Sequence, residues 1–427
     1  MVFVTSQPIH PIILEYYLQF LAGIPASHAR SRLTLLCADD ASPRSLTEKI
    51  LERPRLIERI RAGIMDPSKA YLTVFNSTPH ERKLAVLLGI PLNGCDPRLC
   101  DLGTKSGARK AFKTAGMELP CGFEDLRDAE DVGEALTEMR GRRPDLRRAV
   151  VKLNDSFSGE GNALLTFPVS RSKGALRDAL QNLEFSVPTE TTESYFEKFS
   201  RMGGITEEFI DAPEKLSPSA QYRISPGGEV MAVSTHDQIL GGPSKQVFLG
   251  CRFPARDDYR MEVQEAGLRV GRVLADAGVV SRFGVDFLVY RDTLTEKWKV
   301  SALEINLRMG GTTHPYLALQ FLTGGTLDPE SGLYHSPSGQ AKLYKATDNL
   351  FSERYRGLLP EDLVEILTVN KLHYSHGTES GVLFHLIGAL SEFGKLGLTA
   401  IANSHEQADE LCAHTLEVLD RETEYGR

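Results

Sequence analysis

Two β-rich runs, Phe283 to Tyr290 and Lys299 to Ile305, carry three oxygen-bearing side chains near one end. Asp286 stands on the first run, and Glu304 and Asn306 close the second. Residues two apart in a strand face the same side, so Glu304 and Asn306 project together. Hard oxygen donors gathered beside a strand end suit Mg²⁺, which takes one or two carboxylates and bridges to substrate phosphates. Arg308 follows two residues on, and on that face its planar fork would sit beside the metal. Gly310 and Gly311 then let the backbone pass close to a ligand. Singly, each of these is an ordinary strand-end residue; as a set they describe a platform for metal and phosphate.

Other residues supply positive charge and a cradle. Lys105 opens the helix-like segment SGARKAFKTAGMELP, which ends at Gly116 and Pro120. Lys152 lies inside the apolar run Ala149 to Leu153. A buried ammonium needs a counter-charge, and a nucleotide phosphate would provide one. The loop after it, Asn154 to Asn162, holds Ser156, Ser158, Gly159 and Gly161. Its backbone N–H groups suit closure over phosphates, although a hairpin asks for glycine on its own account.

Stepping outward, Ile205 to Ile210 reads as a strand whose Glu207 and Glu208 face opposite sides. Ser219 to Ile224 and Glu229 to Thr235 flank Pro226-Gly227-Gly228 and read as a hairpin. Arg223 on that hairpin suits a carboxylate or a phosphoryl group as well as it suits a solvated surface. His236 at the hairpin's exit is either a substrate contact or a satisfied loop histidine. The arginine-rich run from Arg140 to Arg148 has no interleaved aromatics, and a solvated helix end explains it better than RNA contact. Near the N-terminus, Val2 to Thr5, Leu33 to Cys37 and Tyr71 to Phe75 alternate with helix-like spacing over 11–22 and 44–62. That alternation predicts an open α/β layer with a parallel sheet. Asn76, Ser77 and Thr78 precede Pro79 at a helix start. Their polar groups suit an anionic substrate group, and they suit a helix cap better. His373, His376 and His385 lack the further ligand a zinc site needs.

The chain has 427 residues, formal net charge −8, 41% hydrophobic and 25% charged residues, an ordinary soluble composition. The acidic balance argues against bulk attraction to nucleic acid. Six cysteines without a C-x-x-C pair predict a reduced, cytoplasmic protein. The start, MVFVTSQPIHP, has no basic segment followed by a long apolar one and does not read as a signal peptide, and no apolar run approaches the roughly 20 residues of a membrane helix.

The phrases "VDF", "LEINLRMGGTTHP", "LGTKSGARKAFKTAGMELP" and "VKLNDSFSGEGNALL" resemble the ATP-grasp superfamily of carboxylate–amine ligases. The tail "GVLFHLIGALSEFGKLGLTAIANSHEQA" narrows the resemblance to the peptide ligases of pheganomycin biosynthesis and their relatives. The resemblance implies an α/β (α+β) ATP-grasp fold: an N-terminal α/β domain over 1–100, a small subdomain over 101–205, a large subdomain over 206–325 and a C-terminal segment over 326–427. It implies ATP and one or two Mg²⁺ as cofactors. Lys105, Lys152 and the glycine loop would take the phosphates, and Asp286, Glu304 and Asn306 the metal. Glu208, Phe209 and Ile210 would form the adenine hinge, with Glu214 on the ribose and Asp211 its competitor. Arg308, with Arg223, would steady the reacting groups, with Asn76, Ser77, Thr78, His236, Gly310 and Gly311 as substrate contacts. The implied reaction makes an acyl phosphate of an amino-acid carboxylate and passes it to the N-terminal amine of a peptide, releasing ADP and phosphate. A thiol or small-amine acceptor, or a regulatory module that binds ATP without turnover, are the alternatives. Neither nucleic acid nor membrane is an expected partner, and a homodimer is allowed.

Overall fold

The computed structural model describes residues 1–156, 160–241, 247–292 and 295–424. The chain forms two compact units. One comprises residues 1–97, 250–254 and 308–427, and the other residues 98–249 and 255–307.

The second unit contains two antiparallel layers. In the first, the strands run in the order Gly122–Leu126, Gly204–Glu208, Arg148–Leu153, Asn162–Thr166 and Glu184–Phe185. Ala149, Val151 and Ala163 are fully buried, with Val132, Leu136 and Met139 of the Ala129–Arg142 helix in the same core. The arginine run Arg140 to Arg148 falls where expected, on the end of that helix and the start of the next strand. In the second layer, Ser281–Arg291 is the central strand. Pro218–Ile224 and Lys215–Leu216 pair along it, as does Trp298–Asn306, and Val230–Gly241 pairs with Pro218–Ile224. Phe283, Val285, Phe287 and Val289 alternate into the core, which leaves Asp286 on the opposite face. The Arg260–Asp276 helix covers that core. Tyr222 donates its hydroxyl to the Val263 and Gln264 carbonyls at 3.0 and 3.1 Å, and a Cβ on Gly267 would lie 2.0 Å from that oxygen.

The first unit is α/β at its N-terminal end, as the alternation predicts, but not around one parallel sheet. Val2–Thr5 pairs in parallel with Thr34–Cys37, and Leu72–Thr73 with Leu92–Asn93, as separate two-stranded ribbons. The third expected strand, Tyr71 to Phe75, is only two residues long because Tyr71 and Phe75 turn outward and are exposed. The helical stretch 44–62 divides into Leu46–Leu51 and Pro54–Ala62, since Pro54 cannot continue a helix and opens a new one instead. Further along the chain, Leu343–Phe351, Lys395–Ala402 and Gly381–His385 form an antiparallel group under the His405–Glu424 helix. No described helix is long and apolar enough to cross a membrane.

Candidate active site

The site grows from the hairpin Ser281–Arg291 / Trp298–Asn306. Phe287 pairs with Ala302 and Asp286 with Glu304, so Leu303 is an extra residue bulged out between them. That bulge resets the register and sets Glu304, rather than Leu303, opposite Asp286. Gly284 then faces Asn306. Asn306 donates its Nδ2 to Asp286 Oδ2 at 3.0 Å, and Gln238 donates Nε2 to Asp286 Oδ1 at 2.9 Å. Glu304 Oε2 takes the Lys105 ammonium at 2.7 Å.

Lys105 is delivered by the helix Lys105–Thr114, which Thr104 caps by accepting from the Gly107 N–H at 3.0 Å. Asn154 fixes the start of this helix. Its main-chain oxygen accepts from Lys105 N at 3.1 Å, and its Oδ1 from Ser106 N at 2.9 Å. The end of the Arg148–Leu153 strand is thereby tied to the helix that carries Lys105. Lys152, on that strand, is ion-paired with Glu207 of the neighbouring strand Gly204–Glu208. Arg109 Nη1 holds the other oxygen of Glu207 at 3.0 Å. Burial pushes the Glu207 carboxyl up, and Lys152, Arg109 and Lys105 outweigh it, so Glu207 stays below the usual carboxylate range.

Lys152, Glu207, Lys105 and Glu304 thus form one line of alternating charge that ends at Asp286, with Asn306 and Gln238 bonded to it. Its chemistry fits Mg²⁺ and a polyphosphate. The metal would find two carboxylates on adjacent strands, and half a turn of the Asn306 amide would present Oδ1 in place of Nδ2. Among the described residues no three His, Cys, Asp or Glu side chains gather into a metal cluster, and the candidate set joins the Asn306 amide to two carboxylates. Ser156 Oγ, at the mouth of the glycine loop, is buried without a hydrogen-bond partner among the described residues, as a phosphate-binding hydroxyl would be. Gly161 is required nearby, because a Cβ there would lie 2.5 Å from that of Ser156. Ser158 and Gly159 lie outside the described residues.

Several expectations need correction. The counter-charge of Lys152 is Glu207, not a phosphate alone; the outward Glu208 pairs instead with Arg143 at 3.3 Å. His236 is fully buried and its pKa is pushed down by burial to about 3, so it is a core imidazole and not a substrate contact. Arg223 is exposed opposite Arg282, four residues along the strand from Ser219, which is the residue that pairs with Asp286. At about 3.3 Å per residue that is roughly 13 Å from the carboxylate pair. Glu214 holds Arg291 at 3.2 Å and Arg256 at 3.4 Å, and Asp211 holds Arg148 at 2.8 Å. Neither carboxylate is free of a protein partner. Phe209 and Ile210 follow the end of their strand, and the Phe209 ring has Arg148 and Lys215 each at 4.2 Å.

In the other unit, Thr78 caps the Pro79–Leu88 helix in a reciprocal box with Glu81, so its hydroxyl is committed to structure. Ser77 N is bonded by the Asn76 side chain at 3.0 Å, and Ser77 itself is buried. Arg308 donates to its neighbour's carbonyl, Met309 O, at 3.3 Å, and Gly310 N donates to Thr313 Oγ1 at 3.0 Å. The alternation of the hairpin revealed Asp286, Glu304 and Asn306. Gln238, Glu207, Arg109 and Asn154 were missed, and adjacency to His236, Glu208 and Lys152 was the only sequence signal for three of them.

Comparison with known proteins bears on the fold and the family. A family model described as "IQCH-like, ATP-grasp" matches residues 98–184 and 178–330, more than half of the chain, and one described as "PGM1 C-terminal domain" matches residues 362–415. The chain is 32% identical over 416 residues to the L-propargylglycine–L-glutamate ligase of Streptantibioticus cattleyicolor, covering 96% of this chain and 83% of that protein. It is 24% identical over 381 residues to IQ motif-containing protein H of Danio rerio, covering 78% of this chain but only 36% of that protein. Among solved structures, the biotin carboxylase–βγ-ATP complex from Campylobacter jejuni has a TM-score of 0.57 at 13% identity, covering 95% of this chain and 88% of that one. N5-carboxyaminoimidazole ribonucleotide synthetase from Thermus thermophilus has a TM-score of 0.53 at 16% identity, covering 98% of both chains. These structural likenesses speak to the fold, which is α/β as expected. With the matched family model spanning the two layers that carry Lys105, Lys152, Asp286, Glu304 and Asn306, the chain belongs to the ATP-grasp family.

Proposed function

We propose that the protein is an ADP-forming ligase that joins the carboxylate of one amino acid to an amine. The observation that carries this reading is the register Asp286↔Glu304, which opposes two carboxylates on adjacent strands with Lys105 at 2.7 Å from one of them. A carboxylate oxygen attacks the γ-phosphorus of ATP, the bond to the β-phosphate oxygen breaks, and ADP leaves with that electron pair. The amine nitrogen then attacks the carbonyl carbon, loses a proton, and inorganic phosphate departs. The first step asks for positioning and charge neutralisation rather than covalent work by the protein. Lys105 and Lys152 hold the phosphates. When bound, Mg²⁺ at Asp286, Glu304 and Asn306 would neutralise β- and γ-oxygen charge. Arg308 steadies the negative charge that develops on the acyl phosphate.

The relative from S. cattleyicolor is named for propargylglycine and glutamate, which supports an amino acid as the acid. It also supports an amino acid as the acceptor, the small-amine alternative to the N-terminus of a peptide. A single assay separates these readings. The protein is incubated with MgATP, a pool of proteinogenic amino acids with L-propargylglycine, and, in parallel, short peptides or hydroxylamine. ADP and phosphate with a hydroxamate establish acyl-phosphate ligation and identify the acid, and the new amide mass identifies the acceptor. AMP and pyrophosphate would overturn the acyl-phosphate route.

A further inference from the structure

Asp286 is gripped by two amides. Asn306, at the end of the Trp298–Asn306 strand, donates Nδ2 to its Oδ2 at 3.0 Å, and Gln238 donates Nε2 to its Oδ1 at 2.9 Å. A carboxylate only accepts, so the contact fixes which end of each amide faces it. Asn306 belongs to the candidate metal set, whereas the mechanism has given Gln238 no task. Gln238 also comes from a strand that does not pair with that of Asp286. Val230–Gly241 pairs with Pro218–Ile224, and Pro218–Ile224 with Ser281–Arg291. At about 4.8 Å per strand the side chain reaches across roughly 10 Å of sheet.

That reach is built into the sheet. His236 opposes Ser219, and Ser219 opposes Asp286, so the three share one face, and Gln238, two residues beyond His236, shares it too. The backbone beneath Gln238 is held: its N–H donates to Ser217 O at 3.2 Å. Asp237, on the other face, accepts the Tyr259 hydroxyl on Oδ1 at 2.6 Å and the Arg256 N–H on Oδ2 at 3.0 Å. Arg256 and Tyr259 lead into the Arg260–Asp276 helix, which packs on the same strand. Gln238, Asp286, Asn306 and these anchors all lie in the unit of residues 98–249 and 255–307.

The two amides are not equivalent. Asn306 stands two residues from Glu304 on the strand that sets Glu304 opposite Asp286, so Oδ2 is the oxygen turned toward the other candidate ligands. Turning the Asn306 amide to present its own oxygen releases Asp286 Oδ2. Gln238 holds Oδ1 from the opposite side of the Asp286 strand, and its bond survives that turn. A carboxylate that binds a metal through one oxygen keeps the other for a hydrogen bond, and such outer partners orient the ligand. We infer that Gln238 is the positioning residue of the metal site: its Nε2–H stays on Asp286 Oδ1 and fixes the plane in which Oδ2 meets the metal. Its amide oxygen stays off the metal.

This inference rests on the metal platform of the ligase reading, and one titration tells the two failures apart. Mn²⁺, standing in for Mg²⁺, is added to wild type, Gln238→Leu and Gln238→Glu, each saturated with ADP, and free Mn²⁺ is read by electron paramagnetic resonance. Leucine keeps the bulk without a donor; glutamate keeps the length but cannot donate, and its charge repels Asp286. Both variants should bind Mn²⁺ about tenfold more weakly or worse, with circular dichroism spectra like that of wild type. Wild-type affinity in Gln238→Leu overturns the inference. Equal or tighter binding in Gln238→Glu also overturns it, because that outcome makes Gln238 a ligand through oxygen. Weaker binding together with an altered circular dichroism spectrum makes the role structural, and the inference fails. A wild type without a protein-dependent Mn²⁺ site removes the platform itself, and with it the task of Gln238.

Discussion

The charged line of the two antiparallel layers and the histidine pair of the other unit handle buried titratable groups in opposite ways. Along Lys152, Glu207, Lys105 and Glu304, each ammonium has a carboxylate against it, and at Glu207 the neighbouring Lys152 and Arg109 outweigh burial and hold the carboxyl below its usual range. At His314 and His385, whose Nε2 atoms meet at 2.9 Å, no counter-ion among the described residues is in contact, and burial is met by neutralisation and one shared proton. The contrast teaches where exchange is possible. An ion pair such as Lys105–Glu304 can trade its partners for a phosphate and a metal with little change in net charge. A neutral imidazole pair is suited to aim a hydrogen bond and to keep it aimed.

The comparison can be broken at either side. The largest effect expected is on turnover: Glu304→Gln or Asp286→Asn should lower kcat about 10²–10³-fold, the scale for losing an oriented transition-state contact. Circular dichroism should show the fold unchanged, since both residues lie on the face opposite Phe283, Val285, Phe287 and Val289. Wild-type turnover in either variant would remove the platform from the mechanism.

Glu207→Gln tests pairing inside the charged line. It leaves Lys152 and Arg109 without their shared carboxylate, and breaking a buried pair on one side costs about 3–5 kcal/mol. A urea midpoint lowered by less than one such pair would predict means the lysine and arginine find water or another partner.

The neutral side is tested by acid. The folded pKa values of His314 (about 4), His385 (about 3) and His236 (about 3) lie below the ordinary 6.5. Above pH 6.5 all three are neutral in both states. As pH falls below 6.5 the unfolded chain takes up protons that the folded chain refuses, so stability declines, and the decline from these groups ends only below about pH 4 to 3. Denaturation midpoints from pH 7 to 4 should fall for wild type and fall less steeply for His314→Phe. The smallest effect belongs to the N-terminal helix start. Thr78→Ala should cost about 1 kcal/mol as a lost cap while leaving KM for both substrates unchanged. A raised KM would restore the substrate reading of Asn76 to Thr78.

Much of the platform was legible from the chain itself. The β-branched and aromatic alternation of Phe283 to Tyr290 located the strand and put Asp286 on the face away from the core. What alternation does not encode is pairing register, and the bulge at Leu303 decides which side chain faces Asp286. The choice between Glu207 and Glu208 was hidden for a related reason. Gly204, Ile205, Thr206 and Glu207 are all buried, so the strand gives no in-and-out rhythm to tell the inward carboxylate from the outward one. Contacts across long stretches of sequence, such as Lys152 with Glu207 or His314 with His385, depend on how strands and helices dock, and composition and period say nothing of them. The parallel N-terminal sheet was over-read because alternation of elements fixes their direction but not how many strands share one ladder.

The central claim, that Asp286 and Glu304 hold the metal which accompanies ATP, is most directly tested with Mn²⁺ as a paramagnetic stand-in for Mg²⁺. Electron paramagnetic resonance would follow free Mn²⁺ as it is titrated into wild type, Asp286→Asn and Glu304→Gln, each saturated with ADP. The account predicts a protein-dependent Mn²⁺ site in the wild type that weakens about tenfold or more in each variant, while Thr78→Ala retains it. Equal Mn²⁺ binding in all four proteins would contradict the assignment and place the metal elsewhere.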